Sequence, residues 1–138
     1  MTSLPSSFGR TFFVTGAVSA AIGVAAGAFG AHGLKSILSP DMLAVYETAV
    51  RYHMYHAFGL IAAGWAAHST QNSKANIAGW CFVAGTVLFS GSLYILTLTG
   101  LRWLGAITPF GGVLFITGWI ALALSFLRNA ESPRRNNV

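Results

Sequence analysis

The chain contains very little charge for its length. Of its 138 residues only 8% are charged, and just three are acidic: Asp41, Glu47 and Glu131. A water-soluble domain carries charge on roughly a quarter of its residues, and these keep its surface hydrated. A soluble globular surface is therefore excluded, and the 54% content of hydrophobic residues indicates a protein whose outer surface meets lipid.

Other absences exclude further classes of protein. Cys81 is the single cysteine, so the chain cannot form an internal disulfide. The sequence has no P-loop, HExxH, GxSxG or CxxC motif, so we expect neither an enzyme nor a protein that holds a cofactor or a metal. The eight basic residues are dispersed, whereas nucleic-acid binding requires a clustered basic face. Nucleic acid is therefore not an expected partner.

What the chain does contain is four long apolar runs. A helix needs about 20 apolar residues to cross a bilayer core of about 30 Å. The runs cover about 11–31, 49–67, 76–98 and 104–127. We predict a single all-α domain, an integral membrane four-helix bundle of up-down topology, followed by a flexible basic tail at 129–138. Its expected partners are membrane lipids and either a second copy of the chain or another membrane protein.

The second apolar run is predicted to begin with an interfacial helical extension. Ser39, Pro40 and Asp41 suit the cap, the first position and the positive end of a helix that continues to about residue 68. At about 1.5 Å per residue this helix exceeds roughly 40 Å, so its first turns should lie at the lipid headgroups. Glu47 stands four residues before Arg51, which is the favourable order for a helical ion pair.

Small residues follow one face of the first run and recur in the fourth. Glycines at helical spacing let the backbone of a neighbouring helix approach closely. We predict that this face packs on another helix, while the larger side chains opposite to it, such as Val14 and Val18, meet lipid. The packing glycines are Gly16, Gly23, Gly27 and Gly30 in the first run and Gly111 and Gly118 in the fourth.

Basic residues near the ends of the runs indicate the orientation. Short loops rich in Lys and Arg stay on the cytoplasmic side of a membrane. The side that holds both termini carries more of these residues than the other side: Arg10, Lys74, Arg128, Arg134 and Arg135 against Lys35, Arg51 and Arg102. We therefore predict a multi-pass membrane protein with both its N and C termini in the cytoplasm.

Polar residues of all four runs converge on the noncytoplasmic half. Ionisable groups at bilayer depth are costly and usually face the interior of a bundle. The candidate polar site consists of His32, Glu47, Arg51, Tyr52, His53, His56, Ser90 and Tyr94. One hypothesis is that Glu47 and Arg51 form an ion pair at the level of the noncytoplasmic headgroups and hold Tyr52, His53 and His56 inward, towards Tyr94. Whether this pair is buried or exposed is left open by the sequence.

Two interpretations of these residues are open. In the first, they are interfacial side chains and interhelical hydrogen-bond partners, as Ser, Thr, Tyr and His often are in membrane helices. In the second, His53 and His56 lie three residues apart on a helix and bind a metal or haem with His32 as a third ligand.

Four strings of sequence resemble the YgdD-like family of small bacterial inner-membrane proteins, a family of unknown function. They are GAFGAHGL at 27–34, TAVRYHMYHA at 48–57, LFSGSLY at 88–94 and ITPFGG at 107–112, in the family's order. The family often has Gln at the position of His53. The resemblance implies a four-helix, multi-pass protein of the bacterial inner membrane without an established activity, and it supplies no catalytic residue.

These features predict a noncatalytic protein that acts in membrane organisation, as a scaffold or as an assembly partner. The first alternative is an oligomeric transporter or channel for small solutes or ions. Four short helices leave little lumen in one protomer, so this alternative requires several copies. The second alternative is a redox protein that binds haem or a metal.

Overall fold

The computed structural model of the protein describes residues 7–127, and this part of the chain is helical with no β-strand. Four helices follow one another: α1 Ser7–Leu34, α2 Pro40–Thr70, α3 Ser73–Thr99 and α4 Thr108–Phe126. A short 3-10 helix, Arg102–Ala106, precedes α4. The prediction of an all-α, four-helix membrane fold is confirmed. The predicted basic tail at 129–138 lies outside the described residues.

Three of the helical segments are long and apolar enough to cross a membrane. They are Ser7–Leu34, Ser73–Thr99 and Arg102–Phe126. The 31 residues of α2 exceed the length of a span, but polar side chains such as Arg51 and His53 interrupt its apolar run. The membrane crossing of α2 and the limits of the four spans stay predictions.

The ends of α2 show which signals fix its length. Ser39 caps the helix by accepting a 3.3 Å hydrogen bond from the backbone N–H of Met42, and Pro40 takes the first position, as predicted. At the other end the helix continues to Thr70, beyond the predicted limit of the apolar run. Gln71 then adopts a left-handed conformation with φ of 52°, and the chain turns directly into α3. Residues 68–70 and 73–75 are therefore helical, and only Gln71 and Asn72 lie between α2 and α3.

Two helices contain a wider, π-helical turn. The last five residues of α1, Gly30–Leu34, form one, and Val87–Gly91 in the middle of α3 form the other. Such π-helical segments are rare and often occur at functional sites. The second segment contains Ser90 and precedes Tyr94 by one turn, so it sets the direction of two predicted polar-site residues.

The helices α2 and α3 lie in the middle of the arrangement. The first helix packs chiefly on α2, while α4 packs chiefly on α3 and also contacts α2. The core between them combines a few large side chains with many alanines, which let the helices approach closely. Its fully buried members include Phe12, Leu60, Phe82, Ala63 and Ala78.

The glycine face of α1 lies against α2. A Cβ atom added at Gly16 would lie 2.7 Å from the carbonyl oxygen of Ala57, and one added at Gly30 would lie 2.7 Å from the ring of Tyr46. The large side chains on the opposite face of α1 are exposed: Val14, Val18, Ile22 and Phe29.

The other predicted packing glycines differ in how tightly they are enclosed. Beside α2, a Cβ atom at Gly23 would lie closest to the flexible end of Met54, and one at Gly27 would meet Val50 at 3.3 Å. In α4, a Cβ atom at Gly111 would lie 2.5 Å from the backbone nitrogen of Phe89. One at Gly118 would lie 2.7 Å from the ring of Phe82. All six predicted glycines therefore face a neighbouring helix.

Candidate functional site

His53 stands at the meeting point of three helices. Its Nε2 atom lies 2.9 Å from the hydroxyl of Ser19 in α1, and its Nδ1 atom lies 3.1 Å from the hydroxyl of Tyr94 in α3. The imidazole is only 7% exposed. Both partners are hydroxyls, which donate or accept a hydrogen bond as needed. Either tautomer of His53 is therefore fully satisfied in this position.

A second tyrosine extends the cluster around His53. The Tyr46 ring lies 5.2 Å from the Tyr94 ring, centroid to centroid, and its hydroxyl donates a 3.0 Å hydrogen bond to the carbonyl of Ala26. Tyr46 is almost fully buried, and a buried phenol requires such a partner. Ser19, His53, Tyr46 and Tyr94 together join α1, α2 and α3.

His56 faces a different neighbour from His53. Its Nδ1–H donates a 2.7 Å hydrogen bond to the carbonyl of Tyr52, one turn earlier in α2. Its Nε2 atom accepts a 3.1 Å hydrogen bond from the indole N–H of Trp119 in α4. The ring stacks on Phe115 with 3.3 Å between centroids and 4° between planes. A carbonyl only accepts and an indole only donates, so these partners select the neutral tautomer with the proton on Nδ1.

Ser90 is the one predicted polar-site residue that is completely buried and unpartnered. Its side chain is 0% exposed, and its hydroxyl lacks a hydrogen-bond partner among the described residues. The hydroxyl of Thr86, one turn earlier, is likewise buried and lacks a hydrogen-bond partner among the described residues. Both hydroxyls lie next to or within the π-helical turn of α3, where the regular helical pattern of hydrogen bonds is interrupted.

An open groove of about 710 Å³ lies beside His56, between α2 and α4. Its lining is aromatic for the most part: Tyr52, Tyr55, His56, Phe58, Phe89, Gly112, Phe115, Ile116 and Trp119. The Tyr52 ring stacks on Phe89 with 4.5 Å between centroids. Phe89 comes from α3, so three helices form this groove.

Glu47 and Arg51 are both exposed, so an ion pair between them would lie at the protein surface rather than in a dry interior. The predicted inward grouping is only partly correct. His53 does meet Tyr94, but His56 turns to Trp119 and Tyr52 lies at the groove, 38% exposed. The helical face of each residue decides its neighbour.

The hypothesis that His32, His53 and His56 bind one metal ion is wrong. His32 is exposed at the end of α1, whereas His53 and His56 are buried beside different helices. Within residues 7–127 no group of three His, Cys, Asp or Glu side chains is placed to hold a metal ion. A structural zinc site needs four converging ligands, and the histidines do not converge.

Sequence reasoning missed three important partners: Ser19, Trp119 and Phe115. A signal for one of them exists, because tryptophan prefers the membrane interface. Trp119 lies in the middle of the fourth apolar run, and a tryptophan there suggests a partner for its indole N–H. Ser19 and Phe115 have no comparable signal, since neither is unusual in a membrane helix.

The sequence relatives of the chain are small membrane proteins. It is 51% identical to a UPF0382 membrane protein of Staphylococcus haemolyticus over 84% of this chain and 94% of the relative. It is 46% identical to the UPF0382 membrane protein YwdK of Bacillus subtilis over 86% of this chain and 98% of the relative. No solved structure was found to match the chain.

Residues 26–112 match the family described as "Protein of unknown function (DUF423)". The matched region includes all eight residues of the predicted polar site. The resemblance to a family of small membrane proteins of unknown function is thereby confirmed, and the YgdD-like name is compatible with these matches. The chain is a multi-pass membrane protein that belongs to the DUF423 family.

Proposed function

We propose that the protein is a noncatalytic component of the bacterial inner membrane, which acts as a scaffold or assembly partner and has both termini in the cytoplasm. The observation that carries this proposal is the engagement of all the ring nitrogens of His53 and His56. Each nitrogen has a hydrogen-bond partner within the protein: Ser19, Tyr94, the Tyr52 carbonyl and Trp119.

Chemistry at a histidine requires an open position. A general base needs a lone pair that reaches the substrate, and a catalytic metal site keeps a position free for it. His53 and His56 instead join α2 to the three other helices. Hydrogen bonds of this kind hold membrane helices together, which favours a structural role for the polar site.

The outer faces of the helices are the surfaces that neighbouring molecules meet. Each helix exposes large apolar side chains, for example Val18 in α1, Phe58 in α2, Ile95 in α3 and Ile120 in α4. A scaffold binds its partner through one such face.

Site-specific photo-crosslinking in native membranes tests this function. A photoreactive residue replaces Val18, Phe58, Ile95 or Ile120 in turn, and adducts are identified by mass spectrometry. We expect a discrete protein adduct from one or two of these helix faces and lipid adducts from the others. Lipid adducts at all four positions, together with ion or solute flux through liposomes containing the pure protein, would show that the protein is a transporter or channel and not a scaffold. A Soret band or stoichiometric metal in the pure protein would show a redox function instead of the scaffold function.

A further inference from the structure

Four exposed residues of α2, between positions 47 and 58, form an ordered stripe that leads to the aromatic groove. Glu47, Arg51 and Tyr55 follow one another at intervals of four residues, and Phe58 comes three residues later. Residues three or four apart share a helix face, and four residues span about 6 Å. The stripe therefore presents an acid, a base, a phenol and a hydrocarbon ring in that order.

All four side chains of the stripe are available to a ligand. Glu47 and Arg51 are exposed, while Tyr55 is 53% and Phe58 is 58% exposed. Even when Glu47 and Arg51 pair with each other, an exposed ion pair is weak and opens readily, so both groups can contact a ligand. Tyr55 and Phe58 also belong to the lining of the groove, so the stripe and the groove are one continuous surface.

We propose that this surface binds an aminophospholipid of the phosphatidylethanolamine type. The order of groups in such a lipid is ammonium, phosphate, glycerol ester and acyl chain. The Glu47 carboxylate accepts hydrogen bonds from the ammonium, and the Arg51 guanidinium donates to the phosphate. The Tyr55 hydroxyl lies at the level of the ester, where tyrosines of membrane proteins are enriched. One acyl chain fills the aromatic groove between α2 and α4.

The charges of the stripe select this lipid class over the other common bilayer lipids. Phosphatidylglycerol carries a net negative charge and no ammonium, so Glu47 repels it. Phosphatidylcholine carries a trimethylated nitrogen, which has no N–H to donate to the carboxylate. Discrimination here comes from unfavourable contacts with the wrong lipid as well as from favourable contacts with the correct one.

The groove contains a position where it can be filled without disturbing the core. A Cβ atom added at Gly112 would lie 3.8 Å from the Phe89 ring, an ordinary van der Waals distance. Gly112→Leu therefore places its side chain in the groove where the acyl chain would lie. Val113→Leu is the matched control, because Val113 is exposed and lies outside the groove lining.

This inference deepens the proposed scaffold role and rests on it for its biological use, but binding is measured on the pure full-length protein. The detergent-solubilised protein is incubated with phosphatidylethanolamine, phosphatidylglycerol and phosphatidylcholine of identical chains, and retained lipid is counted by native mass spectrometry. We expect phosphatidylethanolamine to be retained about three- to fivefold better than either of the others, as suits one exposed charge interaction. Equal retention, or a preference for phosphatidylglycerol, would overturn the proposal.

Two variants, each with a control, test the contact with the lipid headgroup and the contact with the acyl chain separately. Glu47→Gln should remove the preference for phosphatidylethanolamine, whereas Asp41→Asn, on a different face of α2, should preserve it. Gly112→Leu should abolish retention of all three lipids at an unchanged melting temperature, whereas Val113→Leu should not. Retention by Gly112→Leu equal to the wild type would assign the lipid to another surface and overturn the proposal.

A further outcome concerns other occupants of the groove. A dimer that Gly112→Leu dissociates would assign the groove to a second copy of the chain and overturn lipid binding there. A protein adduct from the photoreactive residue at Phe58 would assign the groove to a partner helix. That result would overturn the lipid proposal while the scaffold function stands.

Discussion

The indole N–H of Trp119 donates a 3.1 Å hydrogen bond to Nε2 of His56, although the two residues are 63 positions apart. This bond and the one from Nδ1–H to the Tyr52 carbonyl leave His56 a single neutral tautomer. Nitrogen-15 NMR of the labelled protein in micelles near neutral pH should show a protonated Nδ1 and an unprotonated Nε2 for His56. His53, between two hydroxyls, should instead exchange between tautomers.

Trp119→Phe supplies the control for this assignment. The variant removes the donor to Nε2, so the selection of the Nδ1–H tautomer should weaken while His53 keeps its spectrum. A proton found on Nε2 of His56 in the wild-type protein would contradict the hydrogen bond from Trp119.

The glycine face of α1 predicts a graded response to larger side chains. Gly16→Leu should destabilise the protein most, because its Cβ atom would meet the backbone of α2 at 2.7 Å. Gly27→Leu should cost less, since its Cβ atom would be 3.3 Å from Val50. Overpacking typically costs about 1–3 kcal/mol. Val18→Leu, on the exposed face, should leave the melting temperature in detergent unchanged. Equal melting temperatures for all three variants would show that α1 does not pack through this face.

The hydrogen bonds of His53 should be energetically coupled. Ser19→Ala and Tyr94→Phe each remove one partner of the ring, and such bonds in membrane proteins contribute about 0.6 kcal/mol on average. Because both partners share one imidazole, the loss of stability in the double variant should differ from the sum of the losses in the two single variants. A double-mutant cycle from thermal or denaturant unfolding measures this difference.

Thr117→Val is the control for the His53 cycle. Thr117 is exposed, and its hydroxyl donates only to the carbonyl of Val113 in its own helix. The losses of stability caused by Thr117→Val and by Tyr94→Phe should therefore add. Strict additivity between Ser19→Ala and Tyr94→Phe would contradict a shared histidine.

Because Glu47 and Arg51 are exposed, we expect that removing either side chain changes the free energy of unfolding only slightly. Arg51→Ala, unfolded in lipid-free detergent, should lose at most about 1 kcal/mol. Glu47→Gln combined with Arg51→Met should bring no recovery, because no buried charge needs compensation. A loss of about 3–5 kcal/mol for Arg51→Ala would be the signature of a buried pair and would contradict the exposure seen here.

The distribution of basic residues predicts the orientation of the protein. A reporter that is active only in the cytoplasm should be active when fused to the C terminus, and a reporter that requires the periplasm should be inactive there. The same pair fused after Gly100, in the turn before α4, should give the opposite pattern. A periplasmic signal from the C-terminal fusion would reverse the proposed topology.

The sequence by itself determined the class of protein and most of its helical organisation. Scarcity of charge and four long apolar runs require helices in lipid, since a membrane span must satisfy every backbone hydrogen bond internally. Local signals, such as Ser39 with Pro40, fixed the start of α2, because a helix cap depends only on neighbouring residues. The glycine spacing likewise identified the face of α1 that meets another helix.

Only the tertiary structure decided which polar groups meet. His53 and His56 are three residues apart on one helix, and sequence spacing alone grouped them in one site. The crossing of the helices instead places Ser19 and Tyr94 beside His53, and Trp119 beside His56. Spacing also placed Glu47 and Arg51 on one face of α2, but only the packing of α2 decided that this face is exposed. Periodicity specifies the face on which a side chain lies, but the neighbour that covers that face depends on the packing of distant helices.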